Sequence, residues 1–229
     1  MPVSQRVTAY GFAIVPEVLT NAECDALADH VAGAAASASA SGGTRNLLQQ
    51  DWCRTMADRL RRQPVLAPVL LAPGLVAVQC TYFEKSSARN WLVPVHQDLG
   101  IPVAKRVDHP GLSAWSEKEG ALFVQPPAEV LQQLIAVRVH IDACTADDGP
   151  LRVIPGSHTL GKLDPQAAAT TRQTQPEQVC VIERGGALLM RPLLLHASSK
   201  SSGTGQRRVL HLLFGPATLP LGLEWQDAV

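Results

Sequence analysis

From Leu75 onward the chain breaks into short apolar or alternating runs: 75–84, 92–97, 121–125, 134–142, 151–155, 179–184, 187–195 and 207–214. Turn signals part them at Pro126-Pro127, Asp148-Gly149-Pro150, Pro155-Gly156 and Gly185-Gly186. Proline removes a backbone donor and glycine admits turn conformations, so such pairs end an extended segment. Eight short runs in this rhythm predict a double-sheet jelly roll. The portion before them reads differently. Residues 10–18 carry β-formers and suit an edge strand. Thr20-Asn-Ala-Glu23 has the spacing of a capping box, opening a helix with Leu27, Val31 and Ala34 along one stripe. That helix runs into Ala35–Gly43, a small-residue loop that is either a connector or a flap. A second helix is expected from Asp51, as N-cap, to Arg62, with Trp52, Met56 and Leu60 facing the core.

The expected fold is therefore mainly β with helices (α+β), a jelly-roll core backed by N-terminal helices. No repeat or linker interrupts it, so one domain is expected over 1–229, with 1–74 mostly helical support and 75–216 the jelly roll. All-β domains commonly reach this length as one unit. The stretch from Lys105 to Gly120, rich in charge, proline and glycine, is expected to be a loop long enough to act as a lid.

Composition excludes several partner classes. Twenty basic and twenty acidic residues balance formally, which leaves no electrostatic footprint for nucleic acid. The five cysteines are an odd, scattered set without a C-x-x-C, the pattern of reduced thiols. No basic start precedes an apolar run, so no signal peptide is expected. The longest apolar stretch, 65–78, is broken by prolines and a glycine and is too short to span a membrane. The expectation is a soluble cytoplasmic protein.

Chemistry enters with His96-Gln97-Asp98. On an extended segment alternate side chains share a face, which puts the imidazole and the carboxylate together. A distant His196 would complete two histidines and one carboxylate on one side of a metal, leaving the opposite positions open, as in non-heme Fe(II) oxygenases. Arg207 follows His196 by eleven residues and offers a fixed fork for a carboxylate, as an oxygenase with a 2-oxo acid co-substrate requires. An arginine entering a barrel interior is costly without an anion. Ser198 shares a strand face with His196 and is placed to donate to the same carboxylate. Pattern alone leaves two points open. His140-Ile141-Asp142 is a second His-x-Asp in an apolar segment, and parity does not decide between Arg207 and Arg208.

The segment Gly149-Pro-Leu-Arg-Val-Ile-Pro-Gly-Ser-His158, followed by Gly161, resembles the signature of the phytanoyl-CoA dioxygenase family. Tyr10-Gly-Phe-Ala-Ile-Val-Pro-Glu-Val-Leu-Thr20 is similar to its opening strand. Asn90-Trp91 ahead of His96-Gln-Asp98 resembles one bacterial branch, and His196-Ala-Ser198 with Arg207 matches its distal segment. The likeness spans about 8–216; Asp148 stands where the family often has Asn before Gly-Pro. It implies a double-stranded β-helix (cupin-like) fold and an Fe(II)- and 2-oxoglutarate-dependent dioxygenase using O2. It implies iron on His96, Asp98 and His196 rather than His140 and Asp142, and the oxo acid on Arg207. It also implies a co-substrate contact at Gln79. Asp98 favours hydroxylation of an unactivated C–H, with release of succinate and CO2, over halogenation, whose enzymes lack that carboxylate.

For the substrate, Arg45, Lys85, Asn90, Trp91 and Trp115 come from segments expected near the site mouth. Arg138 and His140 share a strand face that would line the cavity if it points inward. Cations there suggest a small carboxylated or natural-product molecule. His158 reads as turn-stabilising, His30 and His109 as solvent-facing, and His211 stays unassigned. Two rival readings are a cupin-like metal enzyme not using 2-oxoglutarate and a non-catalytic jelly-roll binding protein. Asp98 and Arg207 argue against the first, the intact triad against the second.

Overall fold

The computed structural model describes residues 1–35, 43–86 and 89–229. In chain order the N-terminal elements are α1 (Val3–Tyr10), β1 (Phe12–Val15), α2 (Asn21–Ala35), α3 (Asp51–Arg62) and α4 (Ala67–Leu70). Then come β2 (Val76–Lys85), β3 (Val93–His96), β4 (Ile101–Val103), β5 (Ser113–Lys118), β6 (Ala121–Gln125), α5 (Ala128–Leu131), β7 (Ile135–His140) and β8 (Leu151–Val153). The chain closes with α6 (Pro165–Thr174), β9 (Gln178–Cys180), β10 (Ala187–Met190), β11 (His196–Ser198) and β12 (Arg207–Gly215).

All strand pairs among the described residues are antiparallel. The large sheet has the order β1-β10-β7-β12-β2, and a second sheet has the order β3-β11-β8-β9. These make the jelly roll, and a small sheet β4-β6-β5 adjoins them. β1 is the edge strand expected, paired among the described residues to β10 alone.

The large sheet is covered on both faces, so its strands lose the apolar–polar alternation of a half-exposed sheet. Ile135, Val137 and Val139 of β7 join Leu27, Val31, Cys53, Met56 and Leu60 of the helices in one core. Ala136 belongs to the second core, between the sheets. Arg138 and His140 share its parity and are buried too.

The capping box at α2 is formed: Thr20 N donates to Glu23 Oε2 at 2.8 Å, and Glu23 N to Thr20 Oγ1 at 3.3 Å. At α3 the expectation is corrected by one residue. Asp51 is the first helical residue, and Gln50 precedes it without a side-chain cap. Residues 36–42 of the small-residue stretch, where a connector or flap was expected, lie outside the described residues.

The expected lid is corrected more substantially. Its second half is β5, hydrogen-bonded to β6 through a tight turn whose two residues, Glu119 and Gly120, both have positive φ (52° and 75°). That is the hairpin turn whose twist matches the strands it joins. Among the described residues no helix is long and apolar enough to cross a membrane. All five cysteines are free and buried.

Candidate metal centre and cavity

His96 ends β3 and His196 begins β11, and the two are direct cross-strand partners. Their rings are 4.2 Å apart between centroids. Asp98 lies just past the end of β3, where its N–H donates to Pro192 O at 2.9 Å. Gln97 points the other way: its amide donates to Gly161 O and Leu193 O and accepts from Leu163 N, at 2.7–2.8 Å. Alternation thus gives the outer residue of the triplet an anchoring task and brings its neighbours together.

Both imidazoles are oriented in the same way. His96 Nδ1 donates to Pro94 O and His196 Nδ1 to Leu194 O, each at 2.9 Å. Each Nε2 is left with its lone pair, as a metal-binding imidazole requires. His96 Nε2 lies 3.7 Å from Asp98 Oδ1, and His196 Nε2 lies 3.8 Å from Asp98 Oδ2. The three donor atoms fall within 4.8 Å of one another, the one such group among the described residues. Burial pushes the His196 pKa down to about 4, so this imidazole is neutral and available over the physiological range. Burial opposes ionisation of Asp98, but His196, His211, His96 and Arg138 together hold its carboxyl below the usual range.

The second His-x-Asp does not converge. The Asp142 carboxylate is taken by Arg208, with Arg208 Nε at 2.8 Å and Nη2 at 2.7 Å. His140 is buried with its pKa pushed down to about 3, chiefly by burial, and its Nδ1 has no partner.

The triad opens onto a cavity of about 410 Å³, within the range of small-molecule sites. Its walls show how parity disposes the charged residues. Arg207 turns inward and is buried, donating through Nη1 to Gly149 O. Arg208 turns to the other face, to Asp142. Gln79 lines the cavity and donates to Thr81 Oγ1 at 3.1 Å, and Ser198 lines it beside Lys85. Arg138 lines it as well; its Nη1 donates to His211 Nδ1 at 2.9 Å, and its guanidinium lies over Phe83. Burial pushes the pKa of His211 down to about 3 and that of Arg138 down to about 10.

Three mouth residues are placed otherwise than expected. Lys85 is not at the mouth but 1% exposed, deep beside Arg207. Asn90 is exposed and exchanges two hydrogen bonds with Ser201 (Nδ2 to the carbonyl at 2.7 Å, Oδ1 from N–H at 2.8 Å). Trp115 is turned away under Arg106, while its strand neighbours Ala114 and Ser116 line the cavity. Trp91 and Arg45 do line it, although Arg45 is already paired with Glu119 at 2.9 Å. In the sequence His211 is marked only by its even step from Arg207, and nothing singles out Phe83 or Thr81, because alternation does not say which face of a strand is inner.

Gly149 explains one of the signature residues. Its φ is +62°, and a Cβ there would sit 2.5 Å from Ser199 O and 3.1 Å from Lys85 Nζ. Only glycine lets the turn close over the two cations.

The family model for phytanoyl-CoA dioxygenase (PhyH) matches residues 7–209. The chain belongs to the phytanoyl-CoA dioxygenase family. The family's enzymes depend on Fe(II) and 2-oxoglutarate and use O2, and this chain is an enzyme of that oxygenase type. No curated protein matches the chain. Solved structures share the fold at low identity. The 2-oxoglutarate-dependent epimerase SnoN of nogalamycin biosynthesis is 16% identical with a TM-score of 0.68, over 99% of this chain and 88% of its own. The carbocyclase SnoK of the same biosynthesis is 13% identical with a TM-score of 0.70, over 94% and 83%. HygX from Streptomyces hygroscopicus, solved with nickel and 2-oxoglutarate, is 16% identical with a TM-score of 0.64, over 95% and 86%.

The residues suit these groups. Two imidazole nitrogens and one carboxylate on one side match an iron that keeps open positions. Arg207 is buried with an orphaned Nε and no carboxylate partner among the described residues, as an anion-binding group would be.

Proposed function

We propose that this enzyme hydroxylates an unactivated C–H of a small molecule: one oxygen atom of O2 enters the substrate, the other enters succinate, and 2-oxoglutarate loses CO2. The observation that supports it best is the convergence of His96, Asp98 and His196 on a cavity that also holds the buried guanidinium of Arg207, which has no carboxylate partner among the described residues. Iron bound there would supply O2 activation coupled to decarboxylation of the oxo acid.

The chain's own residues do the rest. Pro94 O and Leu194 O fix both imidazoles so that each Nε2 faces the metal position. Asp98 supplies the one negative ligand, keeping the site distinct from halogenating ones. Arg207, Ser198 and Gln79 would hold the co-substrate. Arg138, Trp91 and Arg45 line the remaining space and would orient the substrate, and the cations favour a carboxylated compound. Phe83 and Leu213 on the same wall help to exclude water.

Some enzymes of this fold are named as an epimerase and a carbocyclase, so the outcome needs its own test. Candidate carboxylated small molecules are incubated with Fe(II), 2-oxoglutarate and O2, and succinate and product mass are followed. A gain of one oxygen atom per succinate supports hydroxylation. Unchanged mass with inverted configuration, or loss of two hydrogens, would replace it by epimerisation or cyclisation.

A further inference from the structure

We propose that Lys85 is a second cation of the co-substrate site, holding the distal carboxylate of 2-oxoglutarate jointly with Arg207. This rests on the reading that Arg207 faces the co-substrate, and it adds a residue with a distinct role. In the β2–β12 pairing Lys85 stands directly opposite Arg207, and both side chains turn to the cavity. Like charges in that relation repel. Both are also withdrawn from water, at 1% and 4% exposure. Neither has a carboxylate within ion-pair distance among the described residues. Lys85 Nζ lies 5.7 Å from the centre of the Trp91 ring, yet two buried, adjacent cations without an anionic partner remain costly unless an anion joins them.

The hydrogen bonds show where that anion belongs. Lys85 Nζ donates to Ser198 Oγ at 2.8 Å and to the carbonyl of Ser199. An ammonium carries three hydrogens, so one remains. Ser198 accepts from Lys85 and has no acceptor for its own O–H among the described residues. Arg207 uses Nη1 on Gly149 O, and its Nε is buried without a partner. Three donors without acceptors therefore gather beside Gly149, whose missing side chain leaves Nζ its space. The third buried cation, Arg138, is tied instead to His211. One carboxylate satisfies the Lys85–Ser198–Arg207 group. A lysine serving only as a strut between β2 and the Ser198-Ser199 segment would not distinguish one ligand from another.

That distinction is the test. Isothermal titration of the anaerobic Fe(II) protein compares 2-oxoglutarate with 2-oxovalerate, which has a methyl group in place of the distal carboxylate. Lys85→Met should weaken 2-oxoglutarate on the order of tenfold to a hundredfold and leave 2-oxovalerate nearly unchanged, and Lys85→Arg should recover part of the loss. Lys85→Gln, which keeps a donor without the charge, gives the same comparison if the Met variant does not fold. An equal loss for both ligands would assign Lys85 a structural role and overturn the proposal. So would an unaltered affinity for 2-oxoglutarate. A wild-type protein that does not prefer 2-oxoglutarate to 2-oxovalerate would instead remove the placement of the co-substrate at Arg207, and Lys85 with it.

Discussion

Arg207 and Arg208 are neighbours in sequence with unlike surroundings, one buried over the cavity, the other in a forked pair with Asp142. Arg207→Ala should weaken 2-oxoglutarate by roughly a hundredfold to a few thousandfold, the cost of about 3–5 kcal/mol when one partner of a desolvated charge pair is removed. Arg207→Lys should recover part of it, because a point charge cannot reproduce a fork. Arg208→Ala should leave that affinity near wild type and cost about 1–2 kcal/mol of stability, read by denaturant unfolding. Lys85 gives a pH prediction. Burial first, and Arg207 beside it, push its pKa from the ordinary 10.5 down to about 8. A lysine with a depressed folded pKa destabilises the fold while charged, fully below pH 8 and progressively less toward pH 10.5. The melting temperature of the ligand-free protein, relative to Lys85→Met, should therefore rise across that window; a constant difference would contradict this. Parity put Arg138 and His140 on one strand face without deciding that it turns inward; Arg138 lines the cavity, whereas His140 is buried outside its lining. It could not place Lys85, Asn90 or Trp115, since nearness to a motif along the chain does not say which face a side chain takes.

At the scale of elements, the apolar runs found their strands because buried strands are written in apolar residues. β5 was not legible. Ser-Ala-Trp-Ser-Glu-Lys has only Ala114 and Trp115 as apolar residues and is mostly exposed, so its strand character shows in its pairing with β6 rather than in its composition. α6 was missed for a related reason: Pro-Gln-Ala-Ala-Ala-Thr-Thr-Arg-Gln-Thr carries no apolar stripe, and Asp164 starts it by accepting from Ala167 N at 2.8 Å. The run 187–195 proved to be β10, a turn at Pro192, and the approach to β11, since proline cannot donate to a ladder. The turn at Gly149 links element to site. Gly149→Ala should lose stability by more than the roughly 1–2 kcal/mol of a left-handed alanine, because its Cβ also meets Ser199 O at 2.5 Å. It should weaken 2-oxoglutarate as well. Thermal melting and co-substrate titration of the variant check both, and a variant melting like wild type would contradict the tight turn.

For the molecule as a whole, the jelly roll was readable from the rhythm of apolar runs and a His-x-Asp with a distant histidine from spacing, whereas the choice of His96-x-Asp98 over His140-x-Asp142 needed the family likeness. The geometry agrees with that choice, because Asp142 is committed to Arg208 and only the first pair meets His196. The central claim is that iron and 2-oxoglutarate meet on this triad. Anaerobic titration of the Fe(II) protein with 2-oxoglutarate, followed by the metal-to-ligand charge-transfer absorbance, tests it directly. The band should saturate in wild type and in His140→Ala, and should be lost in His196→Ala and Asp98→Ala. A band retained in His196→Ala, or lost in His140→Ala with the fold intact, would contradict the account.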